Sequence, residues 1–281
     1  MKKRVLTGAI FVAVMLIGII GSWYTYLVLF GIINFLCLWE FYGMVLGKDR
    51  KESLLRNILG IGLGLFPFVF SAMLQMNWIN SDTTTLFYSF IVFTLVIYLC
   101  FILELFRTSK QALQFLAFIM LAIVYIGISF AILNSIAFVD GNYQFQIILG
   151  ITFLVWANDT AAYFVGSQLG KRPLFPRISP KKTWEGTIGA AIFTLIIAIP
   201  VSLLLPIFSF KIWCAIAIII LFAGGLGDLV ESMFKRSLDT KDSSGLLPGH
   251  GGVLDRFDAF LFSVPFIAAF LIFTGIFQNL S

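Results

Sequence analysis

The chain reads as an all-α polytopic membrane protein of about nine transmembrane helices, with its N-terminus cytoplasmic and its C-terminus outside. Three observations lead there. Apolar residues make up 60% of the chain and charged residues only 12%, about half the charged share of a soluble domain. The apolar runs are continuous over about 20 residues, long enough to cross a bilayer as helices. A backbone in lipid must satisfy its own hydrogen bonds, which leaves helices or a closed barrel, and barrel strands would alternate in polarity.

Nine spans follow from the hydropathy pattern: 5–20, 23–46, 55–74, 84–105, 112–139, 145–167, 186–205, 212–231 and 257–277. The first follows Met-Lys-Lys-Arg, as a secretory signal would. No small-x-small cleavage site comes after it, and Trp23-Tyr24 leads straight into the next span, so a retained helix is expected. Basic residues then set the orientation. The N-terminus and the second, fourth, sixth and eighth loops hold 18 of the 19 lysines and arginines; the other side holds only Lys211. Lysine and arginine favour the cytoplasmic side, and an odd number of spans puts the two ends on opposite sides. A multi-pass protein of the cell membrane, its active face toward the cytoplasm, is expected.

The whole chain, 1–281, is expected to form one membrane domain, with no linker long enough to divide it. Residues 1–144 read mainly as scaffold, rich in Phe, Leu, Ile and Gly. Glu40 is the exception, because an ionisable group inside a span is costly and is a candidate for function; the plain alternative is a Glu paired with a neighbouring helix. Cys37, Cys100 and Cys214 lie in apolar runs with neither zinc nor disulfide spacing, and read as small buried hydrophobes.

The chemistry-bearing residues lie in 145–281. Asp159 sits inside the sixth span among small residues that allow close helix packing. The following loop carries Ser179, Lys181, Lys182 and Thr183. Ser179 as N-cap and Pro180 at the first helical position would explain part of it. Lysines beside a helix start would also suit a phosphate. Further on, Gly224, Gly225 and Gly227 precede Asp228, and would be tolerated at a helix break or where helices pack closely beside a site. Asp228 and Glu231 share a helix face at i, i+3, whereas Glu231 and Lys235 at i, i+4 read most simply as a surface pair.

Residues 224–258 concentrate the rest. Lys235-Arg236 and Lys241 precede a Pro-Gly-His-Gly-Gly turn, and Asp255, Arg256 and Asp258 open the last span. One of Asp255 and Asp258 is explained by the favourable field at a helix N-terminus. Two acids on one face, with Asp228 in the preceding helix, also make a metal site. Mg²⁺ takes a few carboxylates and completes its shell with water and substrate phosphate. Asp228 and Asp255 are the expected ligands. His250, the only histidine, shapes the turn or acts as an acid or base, and Gly251 and Gly252 could offer N–H groups to a phosphate. There is no P-loop, and nucleic acid is not an expected partner.

The run Ser232-x-Phe234-Lys235-Arg236-x4-Lys241-Asp242-x-Ser244-x2-Leu247-Pro248-x-His250-Gly251-Gly252-Val253-x-Asp255-Arg256-Phe257-Asp258 resembles the signature of the phosphatidate cytidylyltransferases, the CDP-diacylglycerol synthases. Ser179-Pro-Lys-Lys-Thr-x-Glu-Gly and Asp159 with Tyr163 and Gly166 are similar to further segments of that family. The matching pieces lie in the C-terminal half.

The resemblance implies an integral membrane enzyme that makes CDP-diacylglycerol and pyrophosphate from CTP and phosphatidic acid. It also implies a divalent-metal requirement, usually Mg²⁺, and a homodimer. Asp228, Asp255, Asp258, Asp159, Lys235 and Arg236 are then the expected catalytic residues, with room for a second cation. Ser179, Lys181, Lys182, Thr183, Lys241, His250, Gly251, Gly252 and Arg256 are the expected substrate contacts. Two other readings compete: a CTP-dependent lipid kinase, and a cation-coupled transporter suggested by Glu40, Asp159 and Asp228 in or near spans. A transporter would more typically show inverted repeats, and here the acids cluster with basic residues at one surface.

Overall fold

The computed structural model describes residues 2–46, 54–107, 112–139, 141–247 and 251–276. Its helical rods run in chain order: α1 (Lys2–Gly21), α2 (Trp23–Leu46), α3 (Leu54–Gln75), α4 (Thr83–Leu105), α5 (Ala112–Ala122) continued into α6 (Ser129–Ala137), α7 (Phe145–Leu169), α8 (Trp184–Leu204), α9 (Phe210–Ile219) continued into α10 (Gly225–Ser237), and α11 (Leu254–Phe273). Among the described residues, eight rods are long and apolar enough to cross a membrane. The first is apolar over the shorter stretch Leu6–Gly21. The protein is therefore an all-α, multi-pass membrane protein, and most of its described residues lie in helices, which satisfy their own backbone groups as lipid requires.

The ends of the spans differ from the sequence reading where local chemistry intervenes. The fifth rod stops at Ala137, because Phe138–Val139 (β1) turns back and pairs with Asn142–Tyr143 (β2). The eighth continues to Ser237, six residues beyond its expected apolar end, since its last turns are buried by polar contacts and not by lipid. The last rod begins at Leu254 and ends at Phe273; residue 277 lies outside the described residues. Ser179 is not a helix cap. Ser179–Thr183 (β4) forms a strand antiparallel to Pro173–Phe175 (β3), and Thr183 caps α8 by accepting from Gly186 N at 3.2 Å. Pro180 thus lies in a strand, at a position where its missing N–H is tolerated.

Two rods contain wide π-helical turns, Ile123–Ile128 between α5 and α6 and Ile220–Gly224 between α9 and α10. Such turns hold one residue more than an α turn and recur near functional sites. α2, α6, α7 and α11 supply much of the core, through side chains such as Phe30, Phe130, Ile148 and Leu261. Buried polar groups join the rods: Tyr26 Oη donates to Asn134 Oδ1 at 3.0 Å, and Asn134 Nδ2 donates to Phe68 O and to Ser71 Oγ. By contrast α4 is peripheral, with 6% of its most apolar window buried against 56% for α11. Asp82 caps α4, and the Thr85 hydroxyl and N–H hold its carboxyl below the usual carboxylate range.

Contacts between the ends of helices sort the rods. Arg56 at the start of α3 forks onto Glu104 at the end of α4. Glu40 near the end of α2 reaches the segment before α11, and Lys182 at the end of β4 reaches α10. These contacts gather at one end the described parts of the loops that carry nearly all the lysines and arginines. At the other end Tyr143 Oη donates to Ile19 O at 2.7 Å.

Candidate active site

Glycine spacing brings two rods together. A Cβ at Gly227 would lie 2.5 Å from Phe262 Cβ and 2.9 Å from the Asp258 carbonyl oxygen, and one at Gly224 would lie 3.2 Å from Ser263 Oγ. Only hydrogen at these positions lets α10 lie against α11 so closely. The glycines therefore serve close packing; Gly224 closes the wide turn Ile220–Gly224, and Gly227 lies in the first turn of α10.

The carboxylates of Asp228, Glu231 and Asp258 converge, with one oxygen of each within 4.8 Å of the others. The sequence pairs Asp228 with Asp255; the structure groups it instead with Glu231 and Asp258. Glu231 is 1% exposed and Asp258 6%. The buried Glu231 Oε1 has no hydrogen-bond partner among the described residues. Buried acceptors are rarely left so, and three like charges at this spacing repel. The set is an all-oxygen one of the hardness that Mg²⁺ prefers.

Lys235 links this cluster to the next layer. Its Nζ donates to Glu231 Oε2 at 2.9 Å and to Asp255 Oδ1 at 2.8 Å. The expected surface pair of Glu231 and Lys235 is in fact buried, because α10 turns that face toward α11 and not toward solvent. Asp255 also accepts from Ser243 N, at 3.1 Å to Oδ2, and from Gly252 N at 2.8 Å. Both its oxygens are thus occupied, and the Gly252 N–H expected to face a phosphate is taken by Asp255. Gly251 does adopt a positive φ of 81°, which glycine reaches at no steric cost. His250 lies outside the described residues.

The basic residues divide into two groups. Lys182 Nζ lies 2.5 Å from Asp228 Oδ2 and donates to Gly225 O at 3.2 Å. It is thereby fixed at the mouth of the cluster. Lys181, Arg236, Lys241 and Arg256 have exposed side chains on the same side. Ser179 and Thr183 belong to β4, where Thr183 orients the start of α8. Glu185 Oε2 accepts from Lys171 N and Arg172 N, which ties the 170–172 turn to α8. Asp159 on α7 accepts from Asn158 Nδ2 at 3.4 Å and lies in electrostatic range of Asp228, Lys182 and Arg256. α7, the end of β4, α10 and α11 therefore converge on one centre. Beside Asp159, between α7 and α8, an apolar groove of about 430 Å³ is lined by Thr160, Phe164, Val165, Ile192 and Phe193.

Three further residues at the centre were not assigned to it from the sequence. Glu231 joins the cluster; its shared face with Asp228 was the signal. Tyr125, in the wide turn Ile123–Ile128, has a buried hydroxyl without a partner among the described residues, in electrostatic range of Asp258, Glu231 and Asp228. Nothing in a run of apolar residues marks it. Ser243 N holds Asp255 from a loop whose register no periodicity reveals.

A family model described as the cytidylyltransferase family matches residues 2–274. The chain belongs to that family. The match covers the scaffold rods as well as the charged segments, so the enzyme shares the family's whole architecture and is a nucleotidyltransferase. Three relatives are each named phosphatidate cytidylyltransferase. One from Bacillus subtilis is 35% identical over 271 residues, covering 95% of this chain and 96% of its own. One from Staphylococcus haemolyticus is 39% identical over 79% of this chain and 85% of its own. One from Staphylococcus aureus is 32% identical over 97% of this chain and 99% of its own.

Proposed function

We propose that the enzyme transfers CMP from CTP to phosphatidic acid, giving CDP-diacylglycerol and pyrophosphate, at the cytoplasmic face of the cell membrane. The observation that carries the reading is the cluster of Asp228, Glu231 and Asp258 flanked by Lys182 and Lys235. It stands in a bundle whose relatives bear that name.

In this reading an oxygen of the phosphatidic acid phosphate attacks the α-phosphorus of CTP. A new P–O bond forms, the bond to the bridging β-phosphate oxygen breaks, and pyrophosphate leaves with that electron pair. The nucleophile is already anionic, so little general-base help is needed. The difficulty is bringing polyanions together, and catalysis rests on positioning and charge neutralisation. Asp228, Glu231 and Asp258 would hold Mg²⁺, with Asp159, in electrostatic range of Asp228, supporting the site or serving a second cation. Bound there, the metal would neutralise the CTP phosphates. Asp255 acts on the same centre through Lys235, whose position it fixes. Lys182 and the exposed Lys181, Arg236, Lys241 and Arg256 draw the phosphates of CTP and the lipid headgroup to this end. The groove between α7 and α8 gives an acyl chain a place beside Asp159. A homodimer of such bundles in the membrane completes the reading.

The test is purified protein with phosphatidic acid and labelled CTP, with and without Mg²⁺. Pyrophosphate release with CMP on the lipid is expected, and only with Mg²⁺. Release of CDP instead would make the protein a lipid kinase and overturn the reading.

A further inference from the structure

Glu40 is buried, 2% exposed, and lies on α2, in the half of the chain without signature residues. Among the described residues its partners are four donors from the other end of the sequence, none of them a lysine or arginine. Oε1 accepts from Ser244 Oγ at 2.6 Å and from Val253 N at 2.9 Å. Oε2 accepts from Ser243 Oγ at 2.8 Å and from Leu254 N at 2.8 Å. Val253 is the N-cap of α11 and has no side-chain cap bond of its own. Glu40 therefore caps that helix from another rod, where a negative charge also meets the positive end of the helix dipole.

We propose that Glu40 is a positioning residue for the cytidylyl-transfer centre, acting through the Ser243–Asp255 segment; this rests on the cation-assisted reading above. The contacts form an unbroken chain. Glu40 holds the Ser243 hydroxyl and the first N–H groups of α11. The Ser243 N–H holds Asp255, Asp255 holds Lys235, and Lys235 holds Glu231 in the carboxylate cluster. The same grip on Val253 and Leu254 fixes the start of α11, one turn before Asp258. Glycine at 252 keeps room for it, since a Cβ there would overlap Glu40 and Ser243. The carboxylate is needed, not merely a polar group. Each oxygen accepts one main-chain N–H, so an amide must point its NH₂ at one of them, donor against donor.

The experiment compares full-length wild type, Glu40→Gln and the milder Ser243→Ala/Ser244→Ala double variant in detergent–phosphatidic acid micelles. It reads the turnover rate, the half-saturating Mg²⁺ concentration and the melting temperature. Glu104→Gln, another buried acid bonded across rods but far in sequence from the signature, is the control for general destabilisation. Glu40→Gln is expected to lose about 10- to 100-fold in turnover, the scale of a misplaced catalytic group, and to need several-fold more Mg²⁺. The serine variant should shift the same way by less, and it still reports if Glu40→Gln does not fold. Glu104→Gln should lower the melting temperature and leave the Mg²⁺ requirement where it was. An unchanged Mg²⁺ requirement in both the Glu40 and serine variants, or an equal shift in Glu104→Gln, overturns the proposal. A wild type that transfers CMP without Mg²⁺ overturns the cation reading itself, and the relay with it.

Discussion

Asp255→Asn separates a ligand from a support. Three groups donate to this carboxylate: Lys235 Nζ at 2.8 Å, Gly252 N at 2.8 Å and Ser243 N at 3.1 Å. An asparagine has one acceptor oxygen, and its NH₂ must face at least one of those donors. The ionic bond from Lys235 contributes about 1.5–3 kcal/mol, and a buried N–H left unmatched costs about 1–3 kcal/mol. Lys235 keeps Glu231, so the loss falls in the lower half of the combined range, about 3–4 kcal/mol. Were all of it expressed in the transition state, turnover would fall by a factor of about 10² to 10³. The assay is CMP transfer from labelled CTP, with Mg²⁺ titrated and melting followed in parallel. If Asp255 works through Lys235, then Lys235→Gln, which loses Glu231 as well, should cost at least as much as Asp255→Asn, and the double variant about as much as Lys235→Gln alone, since residues in one network are not additive. Additive losses, or near-normal turnover in Asp255→Asn, would refute the relay from Asp255 to the cluster.

Asp228→Asn and Asp258→Asn should each lower transfer by at least about 10²-fold, the scale of one lost electrostatic contact, and raise the half-saturating Mg²⁺; unchanged metal titrations in both would remove the cluster as the cation site. Tyr125→Phe deletes a buried hydroxyl that lacks a partner among the described residues; melting should hold or rise by the equivalent of about 1 kcal/mol, while transfer falls several-fold, and unaltered transfer would place Tyr125 outside the site. Gly227→Ala should cost about 1–3 kcal/mol through overpacking against Phe262 and weaken metal binding as α10 and α11 part; a neutral result in both readouts would contradict their close contact.

The rods were plain in the sequence because hydropathy reports the solvent, and lipid is a severe one. Asp228, Asp258, Lys182 and Lys235 were also singled out, since charge near spans is rarely idle, and the structure brings them to one place, Lys235 by way of Glu231. What escaped depends on contacts between distant segments. Ser179-Pro180 carries good capping chemistry, and only the pairing with Pro173–Phe175 turns it into a strand. The i, i+4 spacing of Glu231 and Lys235 is common on wet helices; burial came from α11, which local pattern does not report. Glu40 could be flagged as costly but not given partners, because its donors lie more than 200 residues away along the chain.

The wide turn Ile220–Gly224 sets which way α10 faces. Each residue advances an α-helix by about 100°. Winding the same residues as an ordinary α-helix, with none removed, would leave the rod apolar and still long enough to cross the bilayer. It would also swing Asp228, Glu231 and Lys235 about a quarter of a revolution away from α11. The acids would then look at a neighbouring rod or at lipid instead of at Asp258. Insertion into the membrane would be untouched and the carboxylate cluster lost, so the surplus residue held in that turn aims the acids of α10.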